Sequence, residues 1–265
     1  MNNSFKDNKA EKVWSILELD WFSKNSYNIA MKYVSSWTPN DILRMLLCCI
    51  AFIGRYPDDV SVQVSEDLSL RKMFCEFSAA TCLAALARGQ DDKQLSLQSY
   101  SNLRKHVDNY DQLLQEKLPK LLPATGPAVD LLRKLAILIS FDFEAVCHLK
   151  AWDQIEKVLL RAEDCKNSRL YELMADCILS IGEIPADCLS LHSMFRSILT
   201  RVIVLVSTLK KIVNQAWVLE SFDSVKLAKY MRCLFQVALS ENRYIAETLL
   251  DEINRLAEQA SGVSC

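Results

Sequence analysis

Apolar residues recur at steps of three and four along almost the whole chain, and sustained apolar–polar alternation is nearly absent. That periodicity predicts helices and leaves no place for half-buried strands as a main element. A first pair of helices is expected over about Leu19–Trp37 and Asp41–Tyr56, separated by Thr38-Pro39-Asn40 and closed by Pro57. Proline costs little in a first helical turn and cannot continue a helix past its end, so both prolines punctuate the pair. A second pair is expected over Ser69–Arg88, ended by Gly89, and Leu95–Leu118, ended by Pro119. Pro119–Pro127, which contains Pro123 and Gly126, reads as a connector. Beyond it the pattern predicts helices near Ala128–Phe141, Phe143–Ala162, Ser168–Ile181, Ala186–Thr208, Val225–Leu239 and Tyr244–Ala260, about ten in the chain.

The width of the apolar arcs says how these helices pack. On the first helix Phe22, Tyr27, Ile29, Ala30, Tyr33, Val34 and Trp37 spread over roughly 160°, wider than the ~100° stripe of a surface helix. The next helix leaves mainly Asp41, Arg44 and Arg55 for solvent. Ala79, Ala80, Ala84, Ala85 and Ala87 supply small residues where helix axes can approach closely. Helices that bury such wide arcs need more than one partner, which stacked antiparallel pairs provide. The expected fold is therefore all-α: a TPR-like helical-hairpin solenoid with degenerate repeats. The pair starts near residues 19, 69, 128, 168 and 225 are wider and less even than the ~34-residue tetratricopeptide step, and a compact bundle is the alternative. The expected organisation is a lobe over 1–118, a connector over 119–127, a second lobe over 128–260 and a tail over 261–265, with one continuous solenoid as the other arrangement.

Composition removes whole reaction classes. Only 5 glycines occur among 265 residues, and they stand too far apart for a P-loop or a dinucleotide fingerprint. Thirty-one basic and 33 acidic residues leave a formal charge of -2, which gives no global attraction to nucleic acid or anionic lipid. The first residues lack the apolar core of a secretory signal, and the longest apolar run, Met45–Ile53, is about half the ~18 residues of a membrane span. A cytosolic or nuclear protein is expected, with its 10 cysteines reduced and acting as small apolar residues.

One segment carries a resemblance. Leu19-Asp20-Trp21-Phe22-Ser23-Lys24-Asn25-Ser26-Tyr27-Asn28-Ile29-Ala30, followed by Trp37, Arg44-Met45-Leu46, Cys49-Ile50-Ala51-Phe52-Ile53 and Tyr56-Pro57, resembles the signature of the meiotic Spo-twenty-two/Zip-four-like family, especially its fungal members. The likeness continues through Arg71–Phe77, Ala85–Arg88, Tyr100 and Arg104–Val107, a little under half the chain. It implies a nuclear, chromosome-associated TPR-like scaffold that acts through protein partners in synapsis initiation and crossover recombination. Members of that family are longer, so the resemblance implies a C-terminal portion.

Candidate chemistry is sparse. His106, His148 and His192 are the only imidazoles, and the neighbours Cys147 and His148 would point about 100° apart on a helix. A Cys165–His192 region, with Cys177 and with Cys188 and His192 at i, i+4, is the alternative zinc- or thiol-dependent reading, but it lacks the tight C-x(2–4)-C knuckle of structural zinc. Asp58-Asp59, Asp91-Asp92 and Asp251-Glu252 read as solvated charge, as do Lys210-Lys211 with Lys226, Lys229 and Arg232. The expectation is a non-enzyme with no cofactor or metal, no direct nucleic-acid contact and no membrane contact. The candidate partner-binding residues are Trp21, Asn25, Asn28 and Lys32, at i, i+4, i+7 and i+11 on the face opposite the apolar arc. There an aromatic anchor and two amides could grip an extended peptide. The structural alternative packs Trp21 on Trp14 or Leu17 and bonds the asparagines to neighbouring helices. Phe22, Tyr33 and Trp37 are expected to hold the fold.

Overall fold

The computed structural model describes residues 14–117, 119, 126–165, 167–181, 193–219, 223–241 and 251, with backbone alone at 181, 193–205 and 237–241. Among these residues every regular element is helical: α1 (Ile16–Lys32), α2 (Pro39–Ile53), α3 (Val62–Gly89), α4 (Lys93–Lys117), α5 (Gly126–Leu149), a 3-10 turn (Trp152–Gln154), α6 (Ile155–Cys165), α7 (Ser168–Ile181), α8 (Ser193–Val218) and α9 (Ser224–Glu241). The expected start of the helix at Ala186, most of Tyr244–Ala260, and the tail lie outside the described residues, as do Cys188 and His192.

The helix starts are written in side-chain caps. Ser15 and Glu18 form a reciprocal capping box on α1, Ser15 Oγ accepting from Glu18 N at 3.3 Å and Glu18 Oε2 accepting from Ser15 N at 2.9 Å. Thr38 caps α2 ahead of Pro39, and Ser61 caps α3. Asp92, Asn167 and Asp223 accept from first-turn amides of α4, α7 and α9. The Ser61 cap starts α3 at Val62, about two turns before the expected Ser69.

Each helix packs on its sequence neighbour from α1 to α5; α5 then holds both α6 and α7, and α7, α8 and α9 follow in order. The chain is thus all-α, built of helical hairpins packed in sequence. Its buried apolar cluster runs without interruption from Ala30 to Leu234 and includes residues on both sides of the 119–127 connector. Ala79, Ala80, Ala84 and Ala87 are buried on α3, where the missing side-chain bulk lets α2 and α4 close on either side. Ala85 faces solvent.

Two boundaries differ from the sequence expectation. α1 stops at Lys32, with Tyr33 N–H bonded to Ile29 O. Val34 and Trp37 therefore leave the helix before its apolar arc reaches them, and they are 56% and 39% exposed; Trp37 is not a core residue. The expected break between Phe141 and Phe143 is absent, because Asp142 lies buried against neighbouring arginines inside a continuous α5. That helix ends instead at Lys150, whose φ of 57° places it in the left-handed region. Ala151 N–H bonds Val146 O and Lys150 N–H bonds Cys147 O, a Schellman ending with lysine where glycine is usual.

Candidate protein-interaction surface

The inner face of α1 is set by small polar residues that make room for groups from α2 and α3. Leu19, Ser23, Ser26 and Ala30 are buried. Arg71 of α3 donates to Ser23 Oγ at 3.0 Å, and the Cys49 thiol of α2 donates to Ser23 O at 3.2 Å. This fixes the rotation of α1 and turns Leu17, Trp21, Lys24, Asn28 and Lys32 outward, all of them exposed.

Trp21 is 61% exposed, and among the described aromatic rings it meets Phe22 alone, nearly perpendicular and with centroids 4.9 Å apart. Trp14 packs instead on Phe22 and Phe52. Half-buried Asn25 donates to Trp21 O at 2.7 Å, back onto its own helix, and among the described residues it hydrogen-bonds no neighbouring helix. Lys32 Nζ lies 5.3 Å from the Tyr33 ring centroid. The four candidate residues therefore share one outer face.

Beside this face, the turn after α1 and the first turns of α2 enclose a hollow of about 390 Å³ lined by Trp37, Asp41, Arg44, Met45 and Cys48. Trp37 stacks on Tyr33 with centroids 4.8 Å apart and planes 7° from parallel. A second groove of about 790 Å³ lies between the loop around Pro57, the start of α3 and the end of α4, with Asp58, Glu66, Lys72, Glu116 and Lys117 mixing both charges.

The middle of the stack spends its charge differently. Glu76, fully buried on α3, has Oε2 2.5 Å from His106 Nδ1 and accepts from Asn109 Nδ2 at 3.2 Å, both on α4. Glu144 on α5 accepts from Arg88 Nε and from Tyr100 OH, each at 2.8 Å. Burial alone would raise the Glu144 carboxyl, but the Arg88 and Tyr100 hydrogen bonds outweigh it and hold it below its ordinary range. Two residues before Glu144 on the same helix, Asp142 accepts from Arg104 Nε at 2.7 Å and from Arg161 at 3.2 Å, yet its deeper burial pushes its carboxyl up despite both arginines. Arg161 also reaches Asp108 at 3.3 Å, and its Nε lies 3.0 Å from Asp111 Oδ2 without hydrogen-bond alignment. Farther along, Lys226 and Arg169 converge on Glu172 at 2.6 and 2.5 Å.

These contacts account for most of the residues with chemical potential. His148 stacks on Tyr100 at 4.7 Å, while the neighbouring Cys177 thiol and burial together drive the Cys147 thiol upward. Burial likewise pushes the Cys165 thiol up to about 11. Two of the lysines read as solvated charge are paired, Lys211 with Glu156 and Lys226 with Glu172. Asp92 caps a helix rather than joining Asp91 as a carboxylate pair. Among the described residues, no three His, Cys, Asp or Glu side chains are grouped to hold a metal, and no helix is long and apolar enough to cross a membrane.

Sequence reading passed over Glu76 and Asp142, although a signal for them exists. Each sits within an apolar stripe at helical spacing, Met73-Glu76-Ala80-Leu83 and Leu135-Ile139-Asp142-Val146. A charge in such a stripe must find a partner on a facing helix.

No family model matches the chain. No curated protein matches it. Among solved structures, a chain described as "Computational Design of Self-Assembling Cyclic Protein Homooligomers" is similar at a TM-score of 0.29 and 11% identity, over 88% of this chain and 96% of that one. A likeness that slight carries no functional argument.

Proposed function

We propose that the chain is a non-catalytic protein-interaction scaffold that acts in the nucleus, in meiotic synapsis initiation and crossover recombination. The observation that supports the scaffold reading is the division of its polar groups. Those in the middle of the stack are consumed in helix-to-helix bridges, whereas Trp21, Asn28 and Lys32 stand outward on α1. Exposed aromatics beside amides are the composition of binding surfaces, where they anchor and orient a partner. The meiotic assignment rests on the resemblance of the Trp21–Ala30 segment and the blocks after it to the Spo-twenty-two/Zip-four-like family. Association with chromosomes is then through protein partners, in keeping with the net charge of -2.

The test is affinity purification of the tagged chain from meiotic and from vegetative nuclear extracts, read by quantitative mass spectrometry. The expected result is a set of chromosome-axis and recombination proteins recovered from meiotic extract alone. Recovery of one and the same set from both extracts would make the chain a general helical-repeat adaptor and remove the meiotic assignment.

A further inference from the structure

Five of the nine arginines whose side chains are described hold a carboxylate of their own chain. Arg71 reaches Asp20, Arg88 Glu144, Arg104 and Arg161 Asp142, and Arg169 Glu172. Arg44 on α2, like Arg55, Arg133 and Arg232, is exposed and has no ion pair or hydrogen bond among the described residues, and of these four it is the one beside Trp37 and Met45. The acid one turn before it, Asp41, turns away onto Thr38 Oγ1 at 2.7 Å, while Thr38 Oγ1 accepts from Asp41 N. The guanidinium therefore stands with its donors available at the rim of the 390 Å³ hollow. The wall beside it is apolar. Trp37 is 39% exposed and is backed by the parallel Tyr33 ring, so its plane is fixed without being covered. Met45 adds deformable apolar surface, and Cys48 an exposed thiol at the far edge.

Resting on the scaffold reading only in requiring a protein partner, we infer that this hollow at the α1–α2 turn binds an acidic-hydrophobic segment of that partner. One apolar side chain enters between Trp37, Met45 and Cys48, and a neighbouring Asp or Glu side chain takes the Arg44 fork. The volume is near the lower end of the roughly 300–1,000 Å³ of ligand pockets, which suits one large side chain and its neighbour better than a folded element. An arginine fork matches a carboxylate in two parallel hydrogen bonds, so the charged contact fixes direction as well as adding affinity. A side-chain carboxylate fits better than a chain terminus. Terminal carboxylates are captured by cradles of backbone N–H groups, and at the start of α2 Pro39 brings no N–H and the Asp41 amide is taken by Thr38. A phosphate polymer fits poorly, because the hollow offers a single cation where a polyanion is held by several.

The test uses the whole chain and a fluorescein-labelled peptide of about twelve residues with a central Phe flanked by Glu, followed by fluorescence anisotropy. Two controls replace the flanking Glu with Lys, or the central Phe with Ala. The Glu-flanked Phe peptide is expected to bind at least ~10-fold more tightly than either control. Its binding should also slow alkylation of Cys48 in proportion to occupancy. Arg44→Glu breaks no ion pair or hydrogen bond among the described residues, so it should melt as the wild type does while reversing the preference between Glu- and Lys-flanked peptides. Equal binding of the three peptides, an unreversed preference in Arg44→Glu, or heparin competing as well as the Phe peptide would each overturn the inference. So would a dimer that Arg44→Glu disperses, which would assign the hollow to a second copy. Partners still recovered from meiotic extract by Arg44→Glu in unchanged amount would leave the scaffold reading standing and remove this site alone.

Discussion

The middle of the stack and its α1–α2 end use the same kinds of residues for opposite purposes. Between α3 and α6, Glu76, Arg104, Asp142 and Arg161 are withdrawn from solvent and bridge one helix to the next. At the α1–α2 end one partly buried charge crosses, Arg71 of α3 reaching Ser23 and Asp20 of α1, while the other charges stay outside: Lys24 pairs with Asp20 on the same helix, and Arg44 has no ion pair among the described residues. The end is held mainly by rings, with Phe22 stacked on Phe52 at 5.0 Å and Trp14 set edge-on against both. Ring packing alone is permissive about rotation and register, and at this end the rotation of α1 is set by the hydrogen bonds of Ser23 with Arg71 and Cys49. A buried ion pair is not permissive, because a helix shifted by one turn would strand a charge in the apolar interior. The middle therefore fixes how the helices are stacked, and the end leaves polar and aromatic groups available to another molecule.

The sharpest way to break this comparison is to remove one bridging charge. Asp142→Ala leaves Arg104 buried without its counter-ion and takes from Arg161 its contact across to α5, so a loss of about 3–5 kcal/mol is expected in urea unfolding. Lys24→Ala, which breaks the exposed Asp20 pair of the end, should cost less than ~0.5 kcal/mol. Equal small losses in both variants would mean that the middle is held by apolar packing alone, and the contrast between the regions would vanish.

How much of this is legible in the sequence depends on the range of the interaction. Helical periodicity is local, so the all-helical class, the α2 segment and the α7 span Ser168–Ile181 could be read directly. The starts of α1 and α3 were equally local, but they are carried by Ser15-Glu18 and Ser61 rather than by proline. Asp142 misleads because a carboxylate between two phenylalanines reads as a break until Arg104 and Arg161 arrive from other helices, 38 and 19 residues away. Trp37 misleads in the opposite sense: an aromatic in phase with the arc counts as core only if the helix lasts that long, and α1 ends at Lys32. The outward face of α1 could be read, since spacing alone puts Trp21, Asn25, Asn28 and Lys32 together. The hollow at Arg44 could not, because it exists only where the turn folds Trp37 back beside α2.

Acid should loosen the middle in a way that a single residue reports. The Glu144 carboxyl lies below its ordinary 4.5 in the folded chain, so just below that pH the unfolded chain binds the proton more readily. Its contribution is fully present above 4.5 and is lost as pH falls through the folded value. Asp142 runs the other way: its folded value lies above the ordinary 3.8, so its contribution falls as pH rises through that window. Glu144→Gln should accordingly flatten the acid limb of a melting temperature against pH profile, whereas in the wild type that limb drops. An identical acid limb in the two proteins would show that Glu144 is not held by Arg88 and Tyr100 in solution.

The smallest effect on stability should come from the outer face of α1, and it separates binding from folding. Asn28 is exposed, and Asn25 donates only to Trp21 O, a carbonyl already within the helix. Replacing both with alanine breaks no hydrogen bond between helices among the described residues and adds the better helix former, so the double variant Asn25→Ala, Asn28→Ala should melt within ~0.5 kcal/mol of the wild type. If the face contributes to partner binding, the same protein recovers less of the meiotic partner set at unchanged stability. A large drop in melting temperature would instead show that the amides hold the fold, and the outward face would then resemble the middle of the stack rather than contrast with it. Normal melting with normal recovery would leave the α1–α2 end its aromatic packing but move binding from α1 to the turn that carries Trp37 and Arg44.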